Sequence, residues 1–259
     1  MINFFNKPNM RVVLTSLAIG GIGFFGTVFL LKPFFSGSWV FPQNISLGSI
    51  KLQYYGLILG AAAISGYWYA MRNREKYKIL TEDAETIFFL VLVSGFVGAR
   101  LYHVISSLSF YLENPMQIFS VWNGGLSIYG AGIGGAIAIV IYIWRTRKYS
   151  FFQLLDWLTP GVILGQIIGR FGNFVNYELY GSPTDLPWKM FVPARFRLSP
   201  YETQSFFHPL FLYEAAGSLI IFLILTRLNL KPGQLFLLWV LLYNVMRFFL
   251  EFMRAGSII

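Results

Sequence analysis

Seven stretches of this chain are apolar for about twenty residues each, the length a helix needs to cross the hydrocarbon core of a bilayer. They cover roughly residues 12–31, 54–71, 85–106, 125–144, 152–172, 209–227 and 233–253. The pattern predicts an all-α, polytopic transmembrane helix bundle of about seven spans. Two longer segments interrupt it, residues 33–53 and 182–208. The second lies within GSPTDLPWKMFVPARFRLSPYETQSFFHP, a sequence rich in proline, aromatics and charge. It is expected to form a small extracytoplasmic cap.

Basic residues fall unevenly between the runs. Arg72, Arg74, Lys76 and Lys78 follow the second run, Arg145, Arg147 and Lys148 the fourth, and Arg227 and Lys231 the sixth. With Lys7 and Arg11 these place eleven on one side, against six on the other (Lys32, Lys51, Lys189, Arg195, Arg197 and Arg254). The positive-inside rule then puts the N-terminus in the cytoplasm and the C-terminus outside. The first run follows a basic start, as a signal peptide does, but lacks a small-residue cleavage pattern before Lys32 and Pro33. Residues 1–40 are therefore expected to act as an uncleaved anchor helix, and 41–259 as the main membrane domain.

Composition agrees with that architecture. Of the 259 residues 56% are hydrophobic and 12% charged, and the mean hydropathy is +0.60. A soluble domain carries about 25% charge. The net charge of +9 is explained by the loops, not by a nucleic-acid partner. No cysteine and two histidines, His103 and His208, exclude a disulfide or a thiol nucleophile and leave too few ligands for a histidine-built metal centre. No cofactor or metal is expected.

Against this apolar ground the polar residues inside the spans stand out. Gly161, Gly165 and Gly169, spaced by four, suit close helix packing. Arg170 follows directly, then Asn173, Asn176 and Glu178. An arginine in a span costs about 2.5–3.5 kcal/mol on insertion scales unless it snorkels, and its amide and carboxylate companions favour a functional site. Tyr243, Arg247 and Glu251 share one face of the last run at i, i+4 and i+8. Two guanidiniums meeting in a membrane cavity would suit a phosphate, which they grip through forked donors. In WNGGLSIYGAGIGG, from Trp122 to Gly135, the glycines would pack tightly or line a cavity around Tyr129 and Gly130. Tyr55 reads equally as an interfacial aromatic. Arg100 and His103, one turn apart, fit either a functional pair or a polar helix contact, and His208 before Pro209 fits a helix start.

The segment GRFGNFVNYELYG resembles the signature of the prolipoprotein diacylglyceryl transferase family, G-R-x-G-N-F-x-N-x-E-x-x-G. Gly169, Arg170, Gly172, Asn173, Phe174, Asn176, Glu178 and the closing Gly181 all match. Further similarities fall in family order: FPQNISLGSIKLQYYGL with Tyr55, GAR with Gly98 and Arg100, SFFQLLDWLTP with Asp156 and Pro160, HPLFLYE with His208, Tyr213 and Glu214, and YNVMRFFLEFMR with Tyr243, Arg247, Glu251 and Arg254. The resemblance spans about residues 41–254. It implies a bacterial inner-membrane enzyme that moves the diacylglyceryl group of phosphatidylglycerol onto the lipobox cysteine of a prolipoprotein signal peptide. Glycerol 1-phosphate would be the second product. Carried over residue by residue, Arg170, Arg247, Glu178, Tyr129 and Glu251 would be catalytic. Tyr55, Asn173, Asn176, Arg100, Tyr243, Gly130, Gly181 and His208 would bind substrate.

Three departures from the family pattern follow. Tyr129 stands where the family commonly has histidine, and a phenol of pKa about 10 is a poor base near neutrality; proton removal would then fall to Glu178, Glu251 or the phosphate itself. The N-terminal span is expected as an addition and the family's last helix as missing. Phe211 replaces a glutamine expected at the mouth of the site. The competing readings are a degenerate member that binds phospholipid or lipoprotein without catalysis, and a transporter.

Overall fold

The computed structural model describes residues 10–47, 50–121 and 124–256. Trp122, Lys7 and the Gly48–Ser49 link of the sequence reading lie outside them. Among the described residues seven helices answer the seven apolar runs. They are α1 (Met10–Leu30), α2 (Tyr54–Asn73), α3 (Thr81–Ser106), α4 (Ile128–Thr146), α5 (Phe151–Asn176), α6 (Leu210–Leu225) and α7 (Gln234–Glu251). Five of these, α1, α3, α4, α5 and α7, are long and apolar enough to cross a membrane. At 1.5 Å per residue, the 16 residues of α6 reach about 24 Å, short of a core of about 30 Å. The protein is an all-α polytopic membrane bundle.

Contacts divide the chain into two compact units, residues 1–69 with 158–259, and residues 70–157. In the second unit α3 and α4 cross backbone to backbone. A Cβ on Gly134 would sit 2.1 Å from the Ser94 carbonyl oxygen, and one on Gly98 2.4 Å from that of Gly130. Only glycine permits that approach, and it brings the helices close enough for dispersion to hold them where lipid removes the hydrophobic drive. At one end of the pair the Asp83 carboxylate accepts hydrogen bonds from the Tyr142 hydroxyl at 2.7 Å, the Tyr149 hydroxyl at 2.6 Å and Lys148 Nζ at 3.0 Å. A carboxylate this buried needs such partners.

In the first unit α2 and α5 meet along another small-residue face. Gly161 lies against Gly66, its added Cβ 2.7 Å from that carbonyl oxygen, and Gly165 lies against Ala62. Gly169, the third glycine of the spaced set, reaches only the Leu59 side chain. Helix α1 packs along α6, with Gly20 under the Ile220 side chain. Ile163 of α5, Ile221 and Leu225 of α6 and Leu235 of α7 form one apolar cluster.

Two short extended pairings flank the helices, one before α2 and one between α5 and α6. Strand β1 (Asn44–Leu47) pairs antiparallel with β2 (Ile50–Gln53), and β3 (Met190–Phe191) with β4 (Phe206–Phe207). Residues 180–184 run between two neighbours. On one side Ser182 N–H donates to Met253 O at 2.7 Å, and on the other Gly181 N–H donates to His208 O at 2.9 Å. The C-terminal end of α7 is thereby stitched to the segment that follows α5. Phe211 is 3% exposed and stacks on Phe174 at 4.9 Å. It belongs to the apolar core of this unit and not to an open mouth, because the neighbouring phenylalanine offers an aromatic face that a glutamine could not use.

Candidate active site

Three helices of the first unit bring their charged residues to one place. Glu214 stands one turn into α6, its side chain 3% exposed. From α5 the Arg170 guanidinium closes on Glu214 Oε1 through Nη2. From α7 the Tyr243 hydroxyl donates to the same oxygen at 2.6 Å and accepts from Arg170 Nη2 at 3.0 Å. One turn further along α7, Arg247 Nη1 stands 3.8 Å from Glu214 Oε2. Its Nη2 closes on Glu251 Oε2, whose other oxygen accepts from Arg254 Nη1 at 3.1 Å. A buried carboxylate thus holds two arginines side by side. Arg247 Nη1 is beyond hydrogen-bond distance of Glu214, which leaves it a donor for a ligand. Arg170, Arg247 and Arg254 thus stand against Glu214 and Glu251 in one ion-pair network.

The end of α5 aims the rest. Arg170 Nη1 donates to Asn173 Oδ1 at 3.3 Å, and Asn173 Nδ2 donates to Glu178 Oε1 at 2.9 Å. Helix α5 stops at Asn176 in a Schellman turn: Tyr177 takes φ 54°, and Glu178 N–H reaches back to Asn173 O at 3.0 Å. Leu179 also has φ 54°, so two side-chain-bearing residues in the left-handed region flank the carboxylate. Such positions cost of order 1–3 kcal/mol and persist only where surroundings over-determine them. Here the Tyr177 hydroxyl accepts from Phe41 N–H at 2.6 Å and its ring stacks on Phe196 at 5.1 Å. Glu178 itself is exposed.

Gly172 makes room for Tyr55, since a Cβ there would lie 2.7 Å from the ring. The tyrosine hydroxyl is within electrostatic reach of Glu178 and Arg170. Gly181 is enclosed by His208 and the Met253 carbonyl oxygen, with no space for a Cβ. The Tyr213 hydroxyl accepts from Trp188 Nε1 at 2.7 Å and lies 2.9 Å from His208 Nδ1. Burial holds the His208 pKa below the usual 6.5 and so favours the neutral ring.

Arg100, Tyr129 and Gly130 belong to the second unit. Arg100 is 8% exposed and donates to four carbonyls: Nε to Ile118 at 2.8 Å, Nη1 to Gly124 and Gly125 at 2.8 and 2.9 Å, and Nη2 to Gln117 at 2.5 Å. It ties down the connection that leads into α4. Tyr129, in the first turn of α4, is 72% exposed with its ring 6.2 Å from that of Tyr102. Gly130 sits at the crossing with Gly98. Among the described residues no group of three His, Asp or Glu could hold a metal ion.

The residue that site-by-site reading left out is Glu214. Its signal was a lone carboxylate early in an apolar run, which the pattern of the HPLFLYE segment contained without revealing its partners.

A helical membrane bundle with two partly buried arginines around one buried carboxylate defines a polytopic membrane protein with an anion-suited site. The family model of prolipoprotein diacylglyceryl transferase matches residues 42–259, and the chain belongs to that family. It is similar to the phosphatidylglycerol–prolipoprotein diacylglyceryl transferase of Fervidobacterium nodosum, 35% identical over 257 residues, covering 97% of this chain and 88% of that protein. The protein of the same name from Thermotoga maritima is 36% identical over 259 residues, 96% of this chain and 88% of its own length. That of Acaryochloris marina is 36% identical over 222 residues, with 84% and 81% covered. The first alignment leaves out too few residues of this chain to exclude residues 10–30.

Proposed function

We propose that this protein transfers the diacylglyceryl group of phosphatidylglycerol to the lipobox cysteine of a prolipoprotein. The observation that carries the reading is the convergence of Arg170 and Arg247 on Glu214. A phosphodiester headgroup is an anion, and two neighbouring guanidiniums offer it forked, charge-assisted donors. In the reaction the cysteine sulfur attacks the glyceryl carbon that bears the phosphate ester. The C–O bond breaks, a thioether forms, and glycerol 1-phosphate leaves with the bonding electrons.

Charge grows on the departing phosphate, and preorganised donors aimed there stabilise the transition state most. Arg170 and Arg247 supply them, with Tyr243 and Glu214 fixing their directions and Glu251 and Arg254 steadying Arg247. The thiol, of free pKa about 8.5, must lose its proton because the thiolate is the nucleophile. Glu178 is the acceptor best supported: it is exposed, it is oriented by Asn173, and Tyr55 is within its field. Asn176, Gly181 and His208 shape the wall beside it. Within the second unit Arg100 ties down the connection before α4, Gly130 lies at the crossing with Gly98, and Tyr129 is exposed there, with a hydroxyl where the family commonly has histidine. No cofactor takes part.

The uneven charge of the loops supports a bacterial inner-membrane protein with a cytoplasmic N-terminus, an extracytoplasmic C-terminus and residues 182–208 as an outer cap over the 41–259 domain. Purified protein, phosphatidylglycerol and a lipobox peptide should give a peptide heavier by one diacylglyceryl group. Arg170→Ala and Arg247→Ala should each abolish that product. A wild-type protein that binds the lipid and yields no product over a range of pH and lipid composition would overturn the reading.

A further inference from the structure

Among the described residues, three buried polar atoms of the first unit have no hydrogen-bond partner: Gln166 Oε1, Ser218 Oγ and Trp239 Nε1. Their positions are ordered. Gln166 is four residues before Arg170 on α5, Ser218 four after Glu214 on α6, and Trp239 four before Tyr243 on α7. Each therefore lies on the same helix face as a member of the charged cluster, one turn of about 6 Å away. On the far side, three or four residues on, stand Ile163, Ile221 and Leu235 of the apolar cluster. By helix register the three polar residues lie between the charged groups and the apolar cluster, against which Trp239 itself packs. Ser218 is 1% exposed, and the Trp239 ring stacks 6.3 Å from that of Tyr243, the hydroxyl of which touches both Arg170 and Glu214.

Buried polar groups in native proteins are nearly always paired, and more so in a membrane interior, where water offers no substitute. We infer that these three residues form a subsite for the ester carbonyls of a glycerophospholipid whose phosphate lies between Arg170 and Arg247; the inference rests on the proposed transferase reading. The chemistry matches in kind and order. An ester carbonyl only accepts, the indole N–H only donates, and the serine hydroxyl can donate. The Gln166 amide presents either its oxygen or its NH2 group according to which way it is turned. In a diacyl lipid the esters stand a few bonds from the phosphate on the side of the acyl chains, as the three polar residues stand by register between the charged groups and the apolar cluster. The subsite would select diacyl over dialkyl lipids of the same headgroup and chain length.

The test is competition between diester and diether phosphatidylglycerol for the purified full-length protein, read by native mass spectrometry. The wild type should retain the diester by about tenfold or more, at roughly fivefold for each hydrogen bond gained. Ser218→Ala and Trp239→Phe, which keep volume and ring, should each reduce that ratio, and together bring it close to one. Equal retention by the wild type, or a ratio unmoved in both variants, would overturn the subsite. Transfer to a lipobox peptide is measured in parallel. Loss of product with the diester preference intact counts against the transferase reading alone, and product without preference counts against the subsite alone.

Discussion

Glu214 is where the charged residues meet, and what it does follows from its burial. A carboxylate with a 3% exposed side chain is tolerated because Arg170, Tyr243 and Arg247 surround it. Removing one partner of such a group typically costs about 3–5 kcal/mol, because the remaining charges stay uncompensated. Glu214→Gln should therefore lower kcat/KM at least 100-fold, about 2.7 kcal/mol in transition-state stabilisation, while Glu214→Asp retains part of it. Steady-state transfer assays check this, and wild-type turnover in the glutamine variant would dismiss the role. His208 gives a pH-dependent counterpart. Its folded pKa is depressed by burial, so as pH falls through about 6.5 the unfolded chain binds the proton first and stability declines. The thermal midpoint should drop between pH 7.5 and 5.5 by more in the wild type than in His208→Asn, whose amide can still hydrogen-bond but does not titrate. Equal drops in the two proteins would remove His208 from the account.

The helices were legible in the chain to within a few residues, because hydrophobic length alone specifies a span. Their contacts were legible only in part. The four-residue spacing of Gly161, Gly165 and Gly169 announced a packing face, yet Gly169 meets only a leucine side chain. Gly130 and Gly134 fitted packing or a cavity equally until Gly98 and Ser94 stood opposite them. Spacing reports which residues share a face, and it is silent about which helix that face meets. The same limit applied to Arg170, Arg247 and Glu214, whose separate spans gave no distance between them. Glycine contact predicts a cost that can be measured. Gly134→Ala would place a Cβ 2.1 Å from the Ser94 carbonyl oxygen, a backbone atom that cannot rotate away. Overpacking of this kind costs about 1–3 kcal/mol, so the variant should unfold at a clearly lower temperature. Gly132→Ala, on the same helix with nothing within 4 Å of its Cβ, should not, and matching thermal midpoints for the two would refute the crossing.

At the scale of the whole molecule the governing quantity is the sidedness of the charge. Eleven basic residues lie in the N-terminal tail and the loops after the second, fourth and sixth runs, against six on the other side, and insertion follows that bias when loops are short. The loops after α2, α4 and α6 should therefore face the cytoplasm, and the segment from Gly181 to His208 the outside. The proposed sidedness bears on the chemistry, since the charged cluster sits towards the ends of α5 and α7 that are stitched to the 180–184 segment. A secreted precursor would then present its cysteine on the side where Glu178 is exposed. The chain contains no cysteine, so each single cysteine introduced is the only thiol. In intact cells a membrane-impermeant maleimide should label Arg195→Cys and leave Lys76→Cys unlabelled until the membrane is opened. Labelling of Lys76→Cys from outside would invert the orientation, and with it the side from which the thiol substrate reaches Glu178.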